Sequence, residues 1–138
     1  MHQHNVTHLE LKPDNNFLTP ACNFHIGGFS VSVLVAYQES LFEGYRRTKG
    51  WVAPEFKDNP YAEYRPIRAD LSALGQILQY IAERLGAASN YLFRRLADDL
   101  LSRDPLQRPL LSKVTPFDQA LEAKRKASVD CGYRRARC

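Results

Sequence analysis

From Phe29 to Tyr37 the chain alternates with period two. Phe29, Val31, Val33, Val35 and Tyr37 point one way, and Ser30, Ser32, Leu34, Ala36 and Gln38 the other. That spacing predicts a strand with one face in the core. Val6 to Leu11 reads as a shorter strand, ended by Lys12-Pro13-Asp14-Asn15-Asn16, where proline and asparagine supply the preset and left-handed dihedrals a reversal needs. Phe24-His25-Ile26 is read as part of that same 29–37 strand, with Gly27-Gly28 marking a bulge or a close backbone approach within it. Residues 40–48 form a short helix or extended segment ending at Gly50.

The C-terminal half changes to helical spacing. Asp70 is suited to cap a helix whose stripe of Leu71, Leu74, Leu78, Ile81 and Leu85 stops at Gly86. Ser89 or Asn90 caps a second, with Leu92, Leu96 and Leu100 as its stripe before Pro105. Thr115-Pro116-Phe117-Asp118 opens a third that runs to Ala127, with threonine as cap and proline at the first helical position. The predicted fold is α+β: one small antiparallel sheet from residues 5–38, a loop, then three helices packed on one sheet face through Leu74, Leu78, Ile81, Leu85, Leu92 and Leu96. Residues 1–127 make a single domain and residues 128–138 a basic C-terminal tail.

Between the two halves, Trp51, Phe56, Tyr61 and Tyr64 are interleaved with Pro54, Pro60 and Pro66, too proline-broken for a central strand or a helix. An ordered loop or an edge is expected. Its rings either roof the core or present a protein-binding surface, because tryptophan and tyrosine offer large area at low entropy cost.

Charge adds a second theme. Residues 1–112 hold 12 basic and 12 acidic side chains, whereas residues 113–138 hold seven basic and three acidic, so the net +4 belongs to the C-terminal segment. Lys124, Arg125, Arg134, Arg135 and Arg137 are a handle for phosphate or an acidic protein face, and Tyr133 adds a ring for stacking. The other expectation is a solubilising tail.

The junction of the first two helices has the layout of a helix-turn-helix. A small Ala82 lets the helices approach, Gly86 permits a left-handed turn, and Leu85 with Leu92 seals the space between them. On that layout Ser89, Asn90, Phe93 and Arg94 face outward, and asparagine and arginine are the side chains that grip adenine and guanine edges in pairs of hydrogen bonds. Through Ala82, Leu85, Gly86, Tyr91, Leu92 and Arg94 the stretch resembles the helix-turn-helix of AraC-type transcription regulators. The resemblance implies a major-groove recognition helix and a regulatory role. The competing expectation is an antiparallel helical hairpin with Arg94 and Arg95 solvated.

Several function classes find no support. There is no phosphate-binding glycine loop, GxSxG, HExxH or carboxylate pair across a cleft. Cys22 and His25, three apart on a strand, point to opposite faces. Cys22, Cys131 and Cys138 are odd in number and lack CxxC spacing, which fits free thiols in a cytoplasmic protein. His2, His4, His8 and His25 with Cys22 hold ligand chemistry but no second cluster completes a shell, so neither metal nor other cofactor is expected. No apolar stretch reaches membrane-spanning length. Two functions follow: a small cytosolic nucleic-acid-binding regulator with duplex DNA as partner, or a non-enzymatic protein-binding inhibitor or adaptor of the mobile-element or phage type, acting through the aromatic loop 51–66 or a sheet edge.

Overall fold

The computed structural model describes residues 1–20, 23–44, 51–59, 61–85 and 87–113. The helix expected over residues 115–127, the tail, and Gly86 lie outside them. Four short strands, β1 (Val6–Thr7), β2 (Asn16–Leu18), β3 (Phe24–Ile26) and β4 (Val33–Leu34), precede a one-turn helix α1 (Glu55–Asp58) and two long helices, α2 (Pro66–Arg84) and α3 (Ala87–Leu100).

The α+β class holds, but its arrangement differs from the expectation. In place of one sheet there are two separate two-stranded antiparallel sheets, β1 with β4 and β2 with β3. Among the described residues two long helices stand where three were predicted. The alternating stretch is not one strand: Phe29–Val31 is a 3-10 turn and only Val33–Leu34 pairs. Gly28, at φ 78°, bends the chain just before that turn, and the Ser32 hydroxyl donates to the His8 carbonyl. The alternation still sorts its middle positions. Val35 is buried and Val31 and Val33 pack against the core, while Leu34 stays outside, but Phe29 and Tyr37 end up exposed.

The first strand is also shorter than predicted, because Leu9 adopts φ 61° and the backbone amides of His8 and Leu9 turn inward to the Asp70 carboxylate at 2.6 and 2.7 Å. Asp70 therefore does not cap its own helix. α2 begins one turn earlier, with Pro66 at its first position after an extended Arg65. The predicted stripe is mostly inward: Leu71 and Leu78 are buried and Leu74 is half-buried, but Leu85, just past the helix, is exposed. A second buried face that the stripe does not include carries Ala73 and Ile77, which pack with Leu11.

Ser89 and Asn90 lie inside α3 rather than at its cap. The helix pair is joined side by side. A methyl group at Gly75 would sit 3.0 Å from Leu100 Cβ and 3.2 Å from the Ala97 carbonyl oxygen. At about 1.5 Å per residue, Gly75 lies about 13 Å and Leu100 about 20 Å along their helices from the junction. Axes crossing at the roughly 90–120° of a helix-turn-helix would hold those points roughly 17 to 24 Å apart. Contact there requires helices folded back along each other, so the pair is an antiparallel hairpin and the helix-turn-helix crossing is not formed. Gly75→Val should overpack this seam and lower unfolding free energy by about 1 to 3 kcal/mol, read from denaturant midpoints. A neutral result would mean the helices stand farther apart.

Candidate functional site

The sequence-predicted contact residues scatter. Phe56 and Tyr64 are buried, edge to face at 4.8 Å, within a cluster that includes Leu9, Ala53 and Ala69. Trp51 is half-buried beside the Ala73–Ile77 face of α2, and Gln76 Nε2 holds the Val52 carbonyl at 3.1 Å. Tyr64 bridges to Phe42 through two backbone hydrogen bonds of 2.9 Å. The aromatic loop therefore roofs the core, leaving Tyr61, 87% exposed, as its free ring among the four. On α3, Phe93 does not face outward but packs half-buried against the cluster of Val35, Leu78 and Leu100. Arg94 and Arg95 are exposed, each four residues before an exposed aspartate, Asp98 and Asp99. Neighbours of opposite sign at that spacing leave the outer face close to neutral. Lys124, Arg125, Arg134, Arg135 and Arg137 lie outside the described residues, as do the side chains of Ser89 and Asn90.

What the structure does expose is the β2–β3 hairpin. Its base is tied to the body through His8, a buried ring whose Nδ1 accepts from the Glu10 amide at 3.1 Å, which places the ring proton on Nε2. Nε2 then donates to the Gly27 carbonyl at 2.7 Å. The Gly27 amide donates to the Asn15 carbonyl at 2.9 Å, and Asn15 Nδ2 to the Glu10 carbonyl at 2.8 Å. A side chain at Gly28 would meet Asn15 Cγ at 2.6 Å, so the left-handed glycine is required there on two counts. At the far end the Thr19 amide donates to the Asn23 carbonyl at 2.9 Å.

No protein-family model matches this chain.

The register pairs Asn16 with Ile26, Phe17 with His25 and Leu18 with Phe24. Successive side chains of a strand point to opposite faces, so Leu18, Phe24 and Ile26 share one face and Phe17 takes the other. Leu18 is 67%, Phe24 61% and Phe17 54% exposed, and Ile26 also counts among the exposed apolar residues. Neither strand carries a lysine, a carboxylate or a proline, the residues that usually protect a sheet from pairing with other chains. A cavity of about 310 Å³ opens beside Ile26, and among the described residues that line it none is Asp, Glu, Lys or Arg.

Among the described residues no group of three or more His, Cys, Asp or Glu is placed to hold a metal ion. His8 is spent on Gly27, and His2 Nε2 lies 3.1 Å from the buried Asp70 carboxylate. Among the same residues no helix is long and apolar enough to cross a membrane. Sequence reasoning named a sheet edge as a contact but assigned it no residues. The available signal was the pair Phe17-Leu18 followed by Phe24 and Ile26, which places apolar side chains on both faces of strands too short to bury them.

Proposed function

We propose that this protein is a non-enzymatic protein-binding module, an inhibitor or adaptor, whose contact surface is the β2–β3 hairpin. The carrying observation is the apolar face of Leu18, Phe24 and Ile26, held in the open on a hairpin whose base is fixed by His8 and Asn15. Each such side chain gains about 1.5 to 3 kcal/mol when removed from water. A contact surface held in place before binding loses little freedom on association, which favours affinity. The nucleic-acid reading has less support, since α2 and α3 pack along each other and the α3 arginines are offset by aspartates.

The test is panning of a random linear-peptide display library on the protein and on the double variant Leu18→Lys/Phe24→Glu, whose opposite charges face each other across the strands. Both positions are solvent-facing, so the variant should unfold within about 0.5 kcal/mol of the parent. Enriched peptides should bind the parent and lose at least about ten-fold affinity for the variant, the equivalent of roughly 1.4 kcal/mol. Equal enrichment on both proteins would sink this reading. So would duplex DNA binding at moderate salt that Arg94→Ala weakens, followed by fluorescence anisotropy.

A further inference from the structure

We infer that the partner engages as an extended segment added as a third strand on the outer edge of β3, with one apolar side chain lodged in the cavity beside Ile26. This rests on the hairpin being the contact surface. The hydrogen bonds from the Gly27 amide to the Asn15 carbonyl and from the Thr19 amide to the Asn23 carbonyl set the parity of the sheet: 15 and 27, 17 and 25, and 19 and 23 are the positions whose backbone groups face each other between the strands. The amides and carbonyls of Phe24 and Ile26 must then point away from β2. Among the described residues they make no hydrogen bond, and both residues are exposed. Two outward amides and two outward carbonyls at this spacing match the narrow pairs of an antiparallel strand, four hydrogen bonds in all.

The cavity chooses the edge and the chemistry. Ile26 forms part of its wall with Met1, His2, Ile67, Leu110 and Leu111, whereas β2 shares no residue with it. The imidazole of His2, in the lining, is turned to Asp70. Residues facing Phe24 and Ile26 on an added strand would lie on the same face as Leu18, Phe24 and Ile26, and the one opposite Ile26 sits beside the cavity mouth. The fitting segment therefore reads apolar, any residue, apolar, without charge at the two apolar positions. A second copy of this chain fits less well, because a three-residue edge spans only about 10 Å, too short to bury the roughly 1,000 Å² of a stable interface.

The probe is the linear peptide most enriched on the parent protein in the panning above, synthesised with acetyl and amide ends. N-methylation is scanned along its backbone. Alternate methylations that remove the two bonding amides should weaken binding about ten-fold or more each, while those between them change it less than about two-fold. Leu111→Trp, at a half-exposed position of the cavity rim, should weaken the same peptide by at least about five-fold with the circular dichroism melt unchanged. If hairpin-dependent peptides emerge but the methyl scan is flat or Leu111→Trp is silent, strand addition is overturned while the hairpin stays the contact surface. If none emerges, the contact-surface reading itself fails. A dimer in sedimentation that dissociates on Phe24→Lys would assign the edge to a second copy and overturn the inference.

Discussion

Replacing Arg108 with methionine is expected to lower the free energy of unfolding by about 3 to 5 kcal/mol, the usual cost of leaving one half of a buried ion pair behind. The guanidinium is wholly buried. Its Nη1 donates to Glu55 Oε1 and to the Arg68 carbonyl, both at 2.9 Å, its Nη2 to Glu55 Oε2, and its Nε to the Ser102 carbonyl at 2.9 Å. One side chain thus joins α1, α2 and the segment after α3. Arg68 completes the device in reverse, donating to the Arg108 carbonyl and pairing with Glu39. With Glu55 left partly buried and unpaired, the single variant should show a lower denaturant midpoint at unchanged slope. Adding Glu55→Leu should recover much of the loss, because the remaining cost is then packing rather than an uncompensated charge. A single-variant loss under about 1 kcal/mol would mean that water reaches this guanidinium.

The second large effect is expected at Asp70. Asp70→Ala should cost about 3 to 5 kcal/mol, since the carboxylate is fully buried and both His8 and Leu9 would keep amides with no acceptor. Asp70→Asn should cost less, about 1 to 3 kcal/mol, because one side-chain oxygen still serves one of the two amides. Hydrogen exchange gives a local readout: the His8 and Leu9 amides should lose protection in the alanine variant well before those of α2. Because His8 also holds the Gly27 carbonyl, the same variant should loosen the hairpin base and weaken any hairpin-dependent peptide. Protection at His8 and Leu9 equal to the parent's would show that another group accepts these amides.

Local pattern was enough for some of this protein. The chain turns at Pro13–Asn15 and two amphipathic helices follow, whereas Phe24–Ile26, expected to run on into the 29–37 strand, pairs with β2 in a sheet of its own. The turn and the helices rest on neighbours within a few residues: proline dihedrals, and apolar spacing near 3.6 residues. The inward positions of Leu71, Leu78 and Leu100 follow from the same spacing.

Tertiary structure decided where elements stop and what is exposed. Asp70 looks like a helix cap in the chain, yet its acceptors are taken by amides more than sixty residues away, and this ends β1 and allows α2 to start at Pro66. Glu55 and Arg108, 53 residues apart, show no local sign of pairing, because a long-range contact has no sequence spacing. The helix junction illustrates the same limit. Its residues suit either a crossing pair or a hairpin, and the close approach of Gly75 to Leu100 selects the hairpin. The apolar residues of the β2–β3 hairpin sit on strands of three residues, which cannot cover their own faces. Only the packing of the rest of the chain determines that Leu18, Phe24 and Phe17 are left facing water.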